Sequence, residues 1–320
     1  MRVMILGCGG AIGRAAADAL TAAGIEPVGV RRRGEAGGFP GRVLAADRDD
    51  PAAIARLCEA ERIETVIDMV AMSEASTTPL FDPLAGRIER YVLISSCDVY
   101  RNYGLLHRSE TGEALAAPAC EDSPLRSNRY PYRAETPRAA DDPARWMDDY
   151  DKIPVEDAAR AQAGFEWTIL RLPMVYGPGD RQRRFRWLAE PILAGADEIA
   201  APAAWLDWRT SYGFVGDVGA AIACAATDPR AFGEAFNLGD AAHVDHRAWI
   251  ARFADAAGWR GAVRDDPAPG SPLAAAASAL DLAVPLLVST DKIRTELGFV
   301  EPVSLADRIA RTIADERARV

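Results

Sequence analysis

The chain has 320 residues, 49% hydrophobic and 26% charged, which is a globular composition long enough for one large α/β domain and a smaller one. The formal net charge is −10 and the isoelectric point about 5.0, opposite to the basic face of a nucleic-acid binder, so no nucleic-acid partner is expected. Five scattered cysteines without a Cys-x-x-Cys pair, and only His107, His243 and His246 beside them, argue against a disulfide framework and against a metal site.

The first residues, MRVMILG, read as a buried strand and not as a secretory leader. No apolar run approaches about 18 residues, so no membrane span is expected, and a reduced, cytoplasmic protein is the expectation. Residues 2–7 form a short apolar run that ends in glycines, residues 11–23 are Ala-rich with helical spacing, and residues 26–30 read as a second strand. Strand, glycine turn, helix and strand make a βαβ unit. Further apolar runs stand at residues 43–45, 65–72 and 91–95, separated by helical stretches such as 51–61. That alternation predicts a parallel sheet covered on both faces. From 101 to 142 the pattern breaks into Pro, Arg, Asp and Glu with Tyr130 and Tyr132 among them, and a loop of that length in a compact domain is usually functional or disordered. Helical character resumes at 155–163, a strand follows at 167–172, and Pro178-Gly179 breaks the chain before a basic helix. A helix is expected at 214–226, and two more near 289–298 and 305–319.

Gly7, Gly10 and Gly13 lie in a G-x-x-G-x-x-G pattern between the first strand and the first helix. Glycine permits the tight turn, lets backbone amides approach a pyrophosphate, and lets helix and strand pack closely, while the helix N-terminus offers partial positive charge. The expectation is a Rossmann-type nicotinamide-dinucleotide site. The second strand ends Val30-Arg31-Arg32-Arg33, with no acidic residue where an NAD binder holds its ribose hydroxyls. Guanidinium groups suit a 2′-phosphate, so NADP(H) is favoured, and nearby Glu35 keeps NAD(H) open.

Several further segments, in order, resemble the extended short-chain dehydrogenase/reductases, the family of NAD-dependent epimerases and dehydratases. Ala46-Asp47 looks like the acidic contact to adenine. Ser95-Ser96-Cys97-Asp98-Val99-Tyr100 looks like the family's S-S/T-x-x-V-Y strand end, and residues 171–180, RLPMVYGPGD, like its R-x-x-x-V-Y-G-P-G-D stretch. Phe214-Val215-Gly216-Asp217-Val218, Phe236-Asn237-Leu238-Gly239 and residues 290–299 match its later signatures. The resemblance implies a doubly wound parallel sheet with a smaller C-terminal substrate-binding lobe. The dinucleotide domain would span 1–178 and about 213–240, and the lobe 179–212 and 241–320. It implies an enzyme working on a hydroxyl or carbonyl group of a small molecule by hydride transfer to or from nicotinamide. Besides the glycines, the implied cofactor contacts are Ala11, Ile12, Arg31, Arg32, Asp47, Arg48, Val70, Lys152 and Pro173. Relatives often dimerise through two helices, so a homodimer is one possible assembly, although no such face is identifiable in the sequence.

Ser96 falls on the family's catalytic Ser/Thr position, where a hydroxyl can hydrogen-bond a substrate oxygen as its charge changes, or simply cap the strand end. Asp98 stands where some dehydratases carry an acid/base carboxylate, and otherwise reads as a turn residue. The family's Y-x-x-x-K pair is broken. Four residues before Lys152 stands Asp148, and Tyr150 is only two residues away, which on a regular helix points it roughly 200° from the lysine. Three readings stay open. Tyr150 replaces the usual tyrosine if the helix begins near 153, as Pro154 suggests. Alternatively Asp148 takes the position, or the pair is lost and the chain is an NADP(H) sensor in which Lys152 only binds ribose. Catalytic candidates are therefore Ser96, Tyr150 and Lys152.

On the substrate side the candidates are Asp98, Tyr132, Met174 and Arg209. Met174 stands where nucleotide-sugar enzymes often carry Asn, and an apolar side chain cannot replace those hydrogen bonds, so a smaller or more apolar substrate gains weight. Arg209 is the expected anion contact. Arg183, Arg184 and Arg186 read as a solvated helix face beside acids. Trp205, Trp208 and Tyr212 could wall a pocket or belong to the core.

Overall fold

The computed structural model describes residues 1–32, 37–116, 118–265 and 271–319. Seven parallel strands form the central sheet: β1 (Val3–Leu6), β2 (Pro27–Arg31), β3 (Arg42–Ala45), β4 (Thr65–Asp68), β5 (Arg90–Ser96), β6 (Glu166–Leu172) and, after three short strands, β10 (Glu234–Asn237). Their order is β10-β6-β5-β4-β1-β2-β3, a doubly wound sheet whose strand order reverses beside β1, where such sheets bind ligands. β1 and β4 are buried at every residue, as expected of strands covered on both faces.

One face carries α1 (Ala11–Ala22) and α9 (Val215–Thr227). Both are built from small residues and approach closely. A Cβ on Gly219 would lie 2.4 Å from the carbonyl carbon of Ala15, so glycine is required there. The other face carries α2 (Pro51–Glu61), the short α3 (Glu74–Thr77) and α4 (Phe81–Leu84), and α6 (Lys152–Ala161). Asp50 caps α2 by accepting from the Ala53 amide at 2.9 Å, with Pro51 as the first helical residue.

The segment expected as one long loop from 101 to 142 begins as a helix, α5 (Arg101–Leu106), held to the 3₁₀ turn at 97–99. Thereafter it is a strap without regular structure, packed over β5 and the start of α6 through Val99, Tyr100, Ala119 and Ile153. The expected strand at 65–72 ends at Asp68, and the basic segment after Gly179 is a run of turns before α7 (Arg186–Leu193).

Two small parallel sheets lie outside the main one: β7 (Met174–Tyr176) with β9 (Tyr212–Phe214), and β8 (Glu198–Ala200) with β11 (Ala262–Arg264). With them lie α8 (Ala203–Leu206), α10 (His246–Ala257), α11 (Pro272–Ala279), α12 (Asp291–Leu297) and α13 (Leu305–Arg317). Sequence patterning left β7 to β9, β11, α10 and α11 without an expected element; the strands, of three residues each, are too short to show a period. No helix among the described residues is long and apolar enough to cross a membrane.

Trp208 and Tyr212 are buried in the core, Trp205 packs against it, and none of the three lines the cleft at the glycine turn. With Trp187 they surround His246, whose Nδ1 lies 2.8 Å from the Trp205 carbonyl and whose Nε2 lies 3.1 Å from the Tyr212 hydroxyl. The neutral ring satisfies both partners, donating from Nδ1 and accepting at Nε2. Burial lowers its pKa from 6.5 to about 4. The unfolded chain therefore binds a proton in this window that the folded chain refuses, so His246 stabilises nothing extra above 6.5 but penalises the fold progressively as pH falls to 4. Stability is expected to drop by about 3 kcal/mol across that window from this residue. Urea midpoints measured from neutral pH to pH 4 should fall less steeply in His246→Gln, whatever that variant's stability at neutral pH. An unchanged slope would remove His246 as the cause.

Candidate active site

The glycine turn does what the sequence spacing predicts. Gly7 has a left-handed φ of 83°, and its carbonyl accepts from the Gly10 amide at 3.3 Å. A Cβ on Gly13 would stand 3.0 Å from the Gly7 carbonyl oxygen and 3.2 Å from Cys8 Cα, so the helix can sit this low on the strand only with glycine. Gly10 is the N-cap of α1 and has no side chain to satisfy the first amides, and the first turn holds no acidic residue. The amides and the positive end of the helix are left for an anion. A cleft of about 470 Å³ opens there, lined by Gly7, Gly10, Ala11, Ile12 and Gly13, by Met69, Val70, Ile94 and Ser96 at strand ends, and by Leu172, Pro173, Val175 and residues 179–182. The cradle a Cβ would fill, the uncapped helix and the cleft's size fit a dinucleotide.

Other expected cofactor residues take different positions. Arg31 ends β2 with its guanidinium carbon 3.9 Å from where a Cβ on Gly9 would lie, and Arg32 beside it is exposed. Arg33 and Glu35 lie outside the described residues. Asp47 is exposed after β3 and accepts from the Asp49 amide at 3.1 Å. The Arg48 side chain turns inward, against the expectation that it meets the cofactor. It is 8% exposed, paired with Asp68 and bonded to the Ser76 carbonyl and to Thr77. Asp68 also accepts from the Tyr91 hydroxyl, so the pair belongs to the sheet's interior.

At the carboxyl end of β5 the structure brings together residues that are far apart in sequence. The Ser96 hydroxyl accepts from the Asp98 amide at 3.2 Å while its side chain also lines the cleft, so it both caps the strand end and faces the site. Asp151 caps α6 by accepting from the Ile153 amide at 3.1 Å, which starts the helix at Lys152, one residue before the expected boundary. Tyr150 thus lies on a non-helical lead-in. Its hydroxyl donates to Asp98 Oδ2 at 2.8 Å, and the Lys152 ammonium stands 5.6 Å from its ring centre. Lys152 donates to the carbonyls of Ala71 at 2.6 Å and Ile94 at 2.9 Å, and burial lowers its pKa to about 8. Burial and then the Asp98 carboxylate push the Tyr150 phenol well above its ordinary value, while the Ser96 hydroxyl acts in the opposite sense.

Asp148 does not enter the site. It closes a 3₁₀ turn, accepts from the Ala134 and Arg138 amides and pairs with the Arg138 guanidinium, which holds the strap together. Tyr132 reaches the centre, donating to Asp98 Oδ2 at 3.1 Å and accepting from the Tyr103 hydroxyl at 2.8 Å. Met174 packs against the apolar cluster of Leu105, Leu106, Trp208 and Val284. Arg209 is exposed, donates to the His243 carbonyl at 3.1 Å, and does not line the cleft. Arg183 pairs with Glu316 and Glu190, and Arg186 with Glu190, but Arg184 also lines the cleft. No group of three His, Cys, Asp or Glu side chains among the described residues could hold a metal ion.

Sequence reasoning passed over Arg126 and noted Glu156 only for its family spacing from Lys152, yet both organise this centre. Arg126 forms a buried pair with Asp151 and donates to the Asp98 carbonyl at 2.8 Å. Glu156 accepts from Ser95 and from Arg171, whose other donors reach the Tyr100 hydroxyl and the Glu121 carbonyl. The signal for Glu156 was its spacing from Lys152, whereas nothing local marks Arg126.

The family model for NAD-dependent epimerases and dehydratases matches residues 3–83 and 147–239, just over half of the chain. The chain belongs to this family. It is therefore an NAD-dependent enzyme of the epimerase/dehydratase type, and family membership does not favour the sensor reading. No curated protein sequence matches the chain. Its fold is similar to that of a UDP-glucose 4-epimerase from Thermotoga maritima with UDP-glucose (18% identity, TM-score 0.68, covering 100% of this chain and 99% of that one). It is also similar to a UDP-glucose 4-epimerase from Thermus thermophilus in complex with NAD (21% identity, TM-score 0.67, 100% of both chains). A third is a nucleoside-diphosphate-sugar epimerase from Pseudomonas aeruginosa (19% identity, TM-score 0.69, 100% of this chain and 98% of that one). At these identities the likeness establishes the fold.

If the cradle holds the dinucleotide, filling it should abolish binding. Gly10→Val, whose Cβ would meet nothing nearer than the Gly7 carbonyl oxygen at 3.8 Å and would stand in the cleft, is expected to weaken NAD and NADP by at least about tenfold in calorimetric titration, with circular dichroism showing a folded chain. Wild-type affinity in that variant would place the cofactor elsewhere.

Proposed function

We propose that this enzyme oxidises a hydroxyl or reduces a carbonyl of a small molecule, with Ser96, Tyr150 and Lys152 as its working groups. The observation that carries the reading is the convergence of these three side chains at the end of β5, although the tyrosine stands two residues from the lysine instead of four. The nicotinamide, when bound, supplies or accepts hydride. Ser96 is placed to polarise the reacting oxygen, Tyr150 to move its proton, and Lys152, anchored by two carbonyls, to hold a ribose hydroxyl. The glycine turn and Pro173 would hold the pyrophosphate and nicotinamide ends. The short lobe elements around β7 to β9, α10 and α11 would cover the substrate.

NADP(H) is the proposed preference, because the Arg31 guanidinium stands over the glycine turn where β2 ends and Arg32 follows it on the surface. The proposed substrate is less polar than a nucleotide sugar. Met174, packed against Trp208 and leucines, brings no polar group where nucleotide-sugar enzymes often carry Asn, and Arg209 is bonded to the His243 carbonyl and does not line the cleft.

The test is to denature the purified protein, identify any nucleotide released by mass spectrometry, and titrate the emptied protein with NAD(H) and NADP(H). Retained nucleotide points to a redox-neutral cycle such as epimerisation or dehydration, and an empty protein that binds NADPH more tightly than NADH points to a reductase. Binding of neither would sink the reading. Ser96→Ala combined with Tyr150→Phe should bind cofactor normally and lose turnover on the order of a hundredfold or more across a panel of alcohols and carbonyl compounds.

A further inference from the structure

Asp98 is the most unusual group at the centre. It is 5% exposed, and its two carboxylate oxygens are used unequally. Oδ2 accepts both the Tyr150 and the Tyr132 hydroxyls, while Oδ1 is buried with no hydrogen-bond partner among the described residues. A buried carboxylate oxygen left without a donor raises the cost of the charged form. The Tyr150 proton is meanwhile given to Asp98.

We propose that Asp98 is the positioning residue through which Tyr150 does its proton chemistry, taking the proton that the phenol must shed before it can accept one from substrate. This rests on the reading of Tyr150 above. A phenol that already donates to a carboxylate can act as a base only if that donated proton moves on. In the oxidising direction the substrate O–H bond breaks and its proton forms a new bond to the Tyr150 oxygen. The former Tyr150 proton passes to Asp98 Oδ2, leaving a neutral carboxylic acid. The electron pair left on the substrate oxygen forms the carbonyl as hydride leaves carbon for the nicotinamide. Reduction is the reverse. Tyr150 stays a phenol at both ends of the step, and the charge that changes is on Asp98.

The surroundings are arranged for this exchange. Burial raises Asp98 above the ordinary carboxylate range, and the Tyr150 and Tyr132 hydroxyls and the Arg126 and Lys152 charges oppose that rise. Tyr103 stands behind Tyr132, and the Ser96 hydroxyl faces Tyr150 from the strand. Lys152 has spent two of its donors on the Ala71 and Ile94 carbonyls. Burial first, and then the Asp98 carboxylate that touches it, push the Tyr150 phenol up.

Tyrosinate absorbance, followed against pH in the cofactor-free protein, tests the proposal without a substrate. In a Tyr132→Phe background, which removes the other phenol bonded to Asp98, Asp98→Asn should let one tyrosine ionise at least about one pH unit lower than in Tyr132→Phe alone. That component should vanish when Tyr150→Phe is added, and Asp98→Glu in place of Asp98→Asn should restore the Tyr132→Phe curve. The reciprocal measurement is isotope-edited infrared detection of the Asp98 carboxylic acid. In Tyr150→Phe, which leaves Asp98 in place, its protonated band should persist to higher pH because a donor to the carboxylate is gone. An unmoved tyrosine curve, or a shifted component that survives Tyr150→Phe, overturns the proposal, as does an unmoved carboxyl band. Loss of dinucleotide binding in the wild type would overturn the functional reading and leave these titrations standing.

Discussion

Tyr150 and Lys152, the candidate catalytic pair, are placed by one buried carboxylate, Asp151. It ends an extended lead-in with φ −160° and ψ 120°, accepts the Ile153 amide and so opens α6 at Lys152. Its oxygens also take the Arg126 guanidinium and the Tyr130 amide. The helix boundary therefore falls between Tyr150 and Lys152. Side chains two apart oppose each other on a helix but share a side on extended backbone. The spacing that would separate the pair inside a helix brings it together across a cap.

That arrangement depends on charges taken out of water. Arg126 and Asp151 are both essentially buried, and removing either partner of such a pair costs about 3–5 kcal/mol because a lone charge remains. The same guanidinium bonds the Asp98 carbonyl, tying the strap, the start of α6 and the 3₁₀ turn after β5 to one point. One turn along α6, Glu156 is fixed by Ser95 and Arg171. Lys152 and Glu156 share a helix face, and both address β5 and its flanks, so the helix is fastened to the sheet at two levels. The lysine-to-glutamate spacing has a structural meaning independent of chemistry.

The dinucleotide half was legible because its determinants are local. Gly7, by its left-handed φ, and Gly13, by its approach to the Gly7 carbonyl and Cys8, must be glycine for reasons visible within seven residues, and the buried strand β1 announces itself as an unbroken apolar run. Arg48 misled because a cation beside a motif residue looks like a ligand contact, whereas its partner Asp68 is twenty residues away. The strap was legible only as a break in pattern. Its order comes from pairings such as Arg126 with Asp151 and Arg138 with Asp148, which have no sequence period. Trp205 and Tyr212 looked equally suited to pocket or core until His246 was seen among them. The displaced tyrosine could not be resolved from sequence, because the answer turns on where a cap begins a helix and boundaries are the least certain part of such readings.

The displaced tyrosine, the strap and Asp98 form a single solution. A phenol moved from the helix to its lead-in leaves the helix face of the lysine, so its hydroxyl needs another partner, and Asp98, two residues beyond Ser96, provides it. A carboxylate in that place would be a solvated turn residue if water reached it. The strap keeps water out by laying Tyr132 and Trp146 against Tyr150, and Tyr103 against Tyr132. Asp148, at the position the tyrosine vacated, anchors Arg138 of that same strap. The residue that breaks the family spacing thus helps bury the tyrosine that stands beside the lysine, and the two departures are consistent only when taken together.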